Sequence, residues 1–127
     1  MSDMGIFRTT IAIENPLNRG ELRELTDVMV DTGSEYTWVP RQTLEALGLS
    51  PERTARFSTA DGRVLERAIA FANVHVGGTS APDIMVFAEP GDMTLLGARA
   101  LEGLNLRVDV VLKTLVPAGP VPAAVAA

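Results

Sequence analysis

Val30-Asp31-Thr32-Gly33-Ser34-Glu35-Tyr36-Thr37-Trp38-Val39-Pro40 is the stretch whose reading decides the fold. An apolar approach, Val28-Met29-Val30, delivers one carboxylate in front of a glycine, and Thr37-Trp38-Val39 leads away from it. A strand, a tight Asp-Thr-Gly turn and a second strand would hold Asp31 on a rigid, nearly buried loop. The plainer reading is a β-hairpin with an Asp at its turn, because Asp and Gly are common turn formers.

The eleven residues together resemble the active-site segment of aspartic proteases. Asp31-Thr32-Gly33-Ser34 followed by Trp38-Val39-Pro40 is similar to the pepsin-like version. Asp27, Asp61, Asp83, Asp92 and Asp109 are not followed by Thr-Gly or Ser-Gly, so this is a single-loop chain. Aspartic protease chemistry uses two carboxylates, one acting as base while the other acts as acid. A single-loop chain supplies the pair as a homodimer, with two Asp31 side chains meeting on the two-fold axis. The resemblance is therefore to the retropepsin-like branch, and it implies an all-β, closed, barrel-like domain with one or two short helices. It also implies an aspartic endopeptidase acting on polypeptide substrates.

Composition agrees with one domain: 127 residues can bury a core without crosslinks. The absence of cysteine removes disulfides and thiol chemistry, and it fits a cytoplasmic protein. With His75 the only histidine, a histidine-rich metal site or a Ser-His-Asp triad is disfavoured, and no metal or other cofactor is expected. His75, in Asn73-Val74-His75-Val76, reads as a solvent-facing or satisfied strand residue. A net charge of −5 with both signs scattered argues against nucleic acid or an anionic membrane as partner. No apolar run reaches the ~20 residues of a membrane-spanning helix. The opening Met1-Ser2-Asp3-Met4-Gly5 has neither a basic region nor an apolar one, so no secretory signal is expected.

Turn residues recur roughly every 8–12 positions, the spacing of an all-β barrel or sandwich. Alternation predicts a strand over 5–14, a turn over 15–20 and a strand over 24–30. After Pro40, Leu44 and Leu47 are three apart and Gly48 stands at a helix C-cap, predicting a short helix. Two arms, 54–59 and 63–76, flank Ala60-Asp61-Gly62-Arg63, where Asp-Gly reads as a two-residue hairpin turn. A strand over 83–88 and a turn at Glu89-Pro90-Gly91-Asp92 follow. Leu95-Leu96-Gly97 opens a second short helix, Ala98 to Glu102, ending at Gly103; 104–112 is strand-like. The segment 1–116 is expected to be the folded domain. Pro, Ala, Gly and Val make up residues 117–127, and this tail is expected to be loosely ordered.

By resemblance, Asp31 is the acid/base and Thr32 bonds the opposing chain's loop. Gly33 lets backbone pass close to the carboxylates, and Ser34 donates to the outer oxygen of Asp31. The plain alternative for Thr32 and Ser34 is turn capping. Leu95, Leu96 and Gly97 resemble the family's hydrophobic-hydrophobic-Gly element, which threads beside the catalytic loop. Ala60, Asp61, Gly62 and Arg63 would be the tip of a flap closing over an extended peptide; otherwise they form a surface hairpin. Trp38, with Val39, Ile69 and Phe71, is a candidate for an apolar side-chain pocket, although core packing competes for each.

The chain also departs from the family. Retroviral enzymes place an Arg directly after the late glycine, paired with an acid four residues past the catalytic Asp. Here Glu35 holds the acidic position, Ala98 follows Gly97, and the Arg comes one place later, at Arg99. Pepsin-like enzymes bond the loop Trp to a flap tyrosine, and the one tyrosine here is Tyr36. The segment from Arg107 to Pro117 is longer than the terminal strand that seals retroviral dimers. Two alternatives follow: a catalytically inactive barrel used for peptide binding or dimerisation, and a carboxylate metal site built on Asp27, Glu35 and Asp31.

Overall fold

The computed structural model describes residues 7–125. The strands are β1 (Arg8–Glu14), β2 (Leu22–Val30), β3 (Thr37–Pro40), β4 (Arg53–Ser58), β5 (Val64–Val76), β6 (Thr79–Ala88), β7 (Leu95–Leu96), β8 (Leu106–Asp109) and β9 (Thr114–Pro117). Helix α1 (Arg41–Ala46) follows β3 and α2 (Ala98–Leu104) follows β7. Seven strands form one sheet in the order β1-β2-β7-β3-β6-β5-β4, and β1 also pairs with β5. That last pairing curls the sheet into a barrel. Its wall is thinnest at β7, which is two residues long, so the closure is not a continuous ladder there.

The interior is built from alternation. Ile11 and Ile13 of β1, Ala70, Ala72 and Val74 of β5, and Met85 and Phe87 of β6 point inward and are almost fully buried. Strand β2 would fail to face the core without a correction to its register. Thr9 pairs with Val28, but Ile11 pairs with Leu25, so β2 carries one extra residue at this point. Asp27 absorbs it with a left-handed φ of 59°. The bulge switches the parity of the strand: Leu25 is half-buried, Thr26 and Asp27 are both exposed, and Val28 and Val30 return to the core. A one-residue slip moves every side chain to the other face. The bulge thus sets the face from which Asp31 emerges, and it turns Asp27 outward beside Arg8 rather than toward Asp31. Among the described residues, no group of three His, Asp or Glu side chains is placed to hold a metal.

The helices and turns largely follow the sequence pattern. Gly48 takes a φ of 78° just past α1, and its N–H bonds the Glu45 carbonyl at 2.9 Å. Helix α2 runs past Gly103, which the sequence marks as its end; Asn105, with φ 54°, terminates it instead. Gly103 lies inside the helix with its bare Cα against Ala81, where an added Cβ would come 3.1 Å from the Ala81 Cβ. The run expected as one strand over 104–112 is a hairpin, with β8 and β9 forming a separate two-stranded sheet. Asp109 makes the turn by accepting the N–H groups of Val111 and Leu112. Beyond β9, the Ala118 N–H bonds the Asn105 carbonyl, and the Asn105 amide bonds the Gly119 carbonyl.

His75 is a satisfied strand residue. Its Nε2 lies 3.0 Å from Glu14 Oε1, and the same carboxylate accepts Asn73 Nδ2, Arg19 Nε and the Gly20 N–H. These donors tie β1, the following turn and β5 together around a carboxylate that is 2% exposed. The Gly20 N–H, then His75 and Asn73, hold the Glu14 carboxyl down to about 2, from an ordinary value of 4.5. A depressed carboxyl contributes stability above its unfolded pKa and loses it as the pH falls through the folded one. Wild-type protein is therefore expected to lose melting temperature between pH 4.5 and pH 2. Glu14→Gln is expected to melt lower at neutral pH and to show a flatter acid limb. Thermal melts across that range check it.

Candidate active site

Strands β2 and β3 run on either side of β7, parallel to β2 and antiparallel to β3. The loop Asp31–Tyr36 joins those two strands and passes over the end of β7. Backbone hydrogen bonds stitch it down from both directions. The Asp31 N–H donates to the Leu96 carbonyl at 3.0 Å, the Ala98 N–H to the Ser34 carbonyl at 2.7 Å, and the Arg99 N–H to the Glu35 carbonyl at 3.1 Å. Gly97 sits so close beneath the loop that a Cβ there would lie 2.3 Å from the Tyr36 carbonyl oxygen. Leu95, Leu96 and Gly97 thus thread beside the Asp31 loop.

The carboxylate is half-buried, and its Oδ1 accepts the Gly33 N–H at 2.9 Å. Ser34 does not reach it: the Ser34 hydroxyl donates to the Tyr36 carbonyl at 3.1 Å, closing the turn on itself. Thr32 is exposed at the loop's outer surface.

A buried polar relay, unmarked by any motif, supports the loop from below. The Thr37 hydroxyl accepts the Gly97 N–H at 3.2 Å and donates to Asp83 Oδ2 at 2.7 Å. Asp83 Oδ1 accepts the Ile84 N–H. Thr37 and Asp83 are 0% and 4% exposed, so the hydroxyl spends its donor and an acceptor inside the protein and leaves neither group orphaned. Burial pushes the Asp83 carboxyl above its usual range, against the pull of Thr37, the Ile84 N–H and the charge of Arg99. Among the described residues the Arg99 side chain makes no ion pair with Glu35.

Facing the loop is the hairpin of β4 and β5. Its tip is not the two-residue turn suggested by Asp61-Gly62. Ser58 and Val64 are the last paired residues, the Thr59 N–H bonds the Arg63 carbonyl, and the Gly62 N–H bonds the Thr59 carbonyl. Ala60, Asp61 and Gly62 therefore form a three-residue loop with Gly62 at φ 87°, the type I turn plus bulge that ranks next after two-residue loops. Arg63 pairs with Asp61 across the tip at 2.9 Å.

Loop and hairpin enclose an open cleft of about 600 Å³. Asp31, Gly33, Ser34 and Glu35 line one side, and Thr59, Ala60 and Arg63 the other. Trp38, Phe57, Met93 and Leu95 supply its apolar surface. Of the four apolar-pocket candidates, Trp38 alone lines this cleft. Val39 and Ile69 are wholly buried, and Phe71 is half exposed at a separate hollow beside Leu17 and Leu49.

Phe57 was not singled out by the sequence, yet it joins the two halves of the site. Its ring meets Trp38 at 5.0 Å between centroids and Tyr36 edge-on at 5.8 Å. Strand β4 of the hairpin thus contributes an aromatic contact to the loop Trp, in a chain whose one tyrosine is Tyr36. Each such pair contributes about 0.5–1.5 kcal/mol beyond area burial. Phe57→Ala is expected to lower stability by about 1–3 kcal/mol and to weaken peptide binding, whereas Phe57→Tyr should restore both. Denaturant melts and peptide titration read the two effects.

Comparison with known proteins agrees with this geometry. The family model described as "gag-polyprotein putative aspartyl protease" matches residues 23–103, which span the bulged strand, the Asp31 loop, the hairpin and Leu95-Leu96-Gly97. The solution structure of Simian Foamy Virus (mac) protease is similar in fold, with a TM-score of 0.50 and 20% sequence identity. That match covers 75% of this chain and 91% of the viral one. No curated protein matches the chain. With the one-Asp loop, the strand threaded between its two arms and the facing hairpin all in place, the chain belongs to the retropepsin-like aspartyl protease family.

Proposed function

We propose that the protein is an aspartic endopeptidase that works as a homodimer, each chain contributing Asp31 to one shared site. The observation that carries this reading is a single carboxylate, on a loop pinned by β7 and α2, lining an open cleft. A loop held this way presents its carboxylate without reorganisation, which general acid/base catalysis rewards. One chain holds half of the chemistry, and a two-fold axis through the loops supplies the rest.

Two carboxylates brought within about 3 Å cannot both ionise at low cost, so the pair shares one proton. The ionised Asp31 takes a proton from a bound water, whose oxygen attacks the peptide carbonyl. The protonated partner donates its hydrogen bond to the developing oxyanion. When the C–N bond breaks, the proton gained from water passes to the leaving amine. The hairpin tip Thr59 to Arg63 acts as the flap: it covers an extended peptide, offers backbone hydrogen bonds and keeps bulk water out. Residues up to 116 form the working domain in this reading.

An inactive barrel that binds peptides is the second reading. The unpaired state of Glu35 favours it, since the ion pair that braces the viral loop is missing here. An unbiased peptide library, digested at rising protein concentration from pH 4 to 7 and read by mass spectrometry, separates the two. The protease reading expects cuts whose specific rate climbs with protein concentration as dimers form. Peptide retention without cuts at any concentration supports the inactive barrel.

A further inference from the structure

Glu35 is the one carboxylate besides Asp31 that lines the cleft without a charge partner among the described residues. Asp92 also lines it, but Arg67 grips Asp92 through two bonds of 2.7 and 3.0 Å. Arg63, the cation on the flap side, is paired with Asp61. Glu35 spends its backbone carbonyl on the Arg99 N–H, which fixes the main chain and leaves the exposed side chain in the cleft. Ala98 offers it no cation, and Arg99 makes no ion pair with it among the described residues.

We infer that Glu35 selects substrates carrying Lys or Arg beside the scissile bond. This rests on the protease reading above and names the substrate class for the same site. The cleft suits such a side chain in both of its parts. The apolar stem of Lys or Arg covers hydrophobic surface while the charged head seeks a partner. Trp38, Phe57 and Leu95 provide apolar and aromatic surface in the same cleft, and an aromatic face adds attraction for a cation. Glu35 provides the countercharge, and the net charge of −5 favours the approach of a basic peptide.

The two-fold axis makes the inference sharper. A peptide has a direction and the dimer does not, so one Glu35 meets residues before the cut and its copy meets residues after it. The preference for a basic side chain therefore repeats on both sides of the scissile bond.

The test uses the unbiased peptide library with wild type, Glu35→Gln and Glu35→Lys, together with library capture on Asp31→Asn and on Asp31→Asn/Glu35→Gln. Wild-type cuts are expected to show Lys or Arg enriched about fivefold at one position on each side, the size of a partly exposed ion pair. The enrichment should disappear in Glu35→Gln, shrink in high salt, and turn toward Asp and Glu in Glu35→Lys. Wild-type cuts without basic enrichment, or enrichment that survives in Glu35→Gln, would overturn the assignment. If wild type cuts nothing, capture decides. Basic peptides retained by Asp31→Asn and lost in the double variant uphold Glu35 while removing the protease reading. Unselective capture, or none, overturns the assignment.

Discussion

Asp31→Asn is expected to lower kcat/KM by about 10³-fold or more while leaving the fold intact, because general acid/base groups contribute about 10²–10⁴ and the substitution removes both members of the pair. The fold should survive for a local reason. Among the described residues the one intrachain bond to the Asp31 side chain is the Gly33 N–H on Oδ1, and an amide oxygen accepts it equally well. The loop itself is held by backbone bonds from Leu96, Ala98 and Arg99, which an isosteric side chain does not touch. Circular dichroism and melting temperature close to wild type, alongside lost cleavage, are the expected pair of observations. A variant that cut as well as wild type would remove Asp31 from the chemistry.

Gly97→Ala is expected to be the most damaging single-methyl change in the chain. The cause is steric and not conformational, since Gly97 has an extended backbone with φ −96° that any residue can adopt. The added Cβ would meet the Tyr36 carbonyl oxygen at 2.3 Å, the Tyr36 carbonyl carbon at 2.6 Å and the Ser34 carbonyl oxygen at 2.9 Å. All three are backbone atoms of the Asp31 loop, so no side chain can swing aside. Relief requires the loop to lift off β7. That breaks the Ala98 bond to Ser34 and strains the Gly97 bond to Thr37. A cost of about 3 kcal/mol or more is expected, at the upper end of overpacking effects. Gly78→Ala is the matched control. An added Cβ there meets nothing within 4 Å, and the change should stay within about 0.5 kcal/mol. Denaturant unfolding of both variants gives the comparison.

The parts of the site that were legible in the sequence are those built from contiguous residues. Val30 to Pro40 carries its own strand-turn-strand pattern, and Leu95-Leu96-Gly97 carries an apolar pair and a glycine at a helix start. The hairpin arms were visible because Asp61-Gly62 marks a turn between them, and Ala55 and Phe57 do turn inward along β4. What stayed hidden depends on contacts between distant residues. Thr37 and Asp83 lie 46 positions apart, and nothing in either neighbourhood marks them as partners. Phe57 looked like one more apolar strand residue until the fold brought it against Trp38 and Tyr36. The bulge at Asp27 was hidden because a bulge is defined by the partner strand's register. Strict alternation would have put Asp27 and Asp31 on one face, as the metal-site alternative required. Strand β9 was missed since Val110-Val111-Leu112 continues the apolar pattern of β8 straight through a turn that Asp109 and Lys113, at φ 53°, impose.

The bonding of Glu14 contrasts with that of Asp31. Glu14 gathers four donors and is held low, so it is a structural carboxylate whose loss should register in acid stability. Among the described residues Asp31 accepts one backbone bond within its own chain, and it lines the cleft. A carboxylate left so lightly bonded in a pinned loop is available for a water, a substrate and a second copy of itself.

The central claim is that one working site needs Asp31 from two chains. The most direct measurement is the activity of a mixed dimer, wild type with Asp31→Asn, isolated by a different affinity tag on each chain. The account predicts that the mixed dimer is about 10²-fold or more below the wild-type dimer, because one carboxylate cannot serve as both acid and base. A mixed dimer with half the wild-type rate would mean that each chain cuts alone, and the shared site would have to be abandoned.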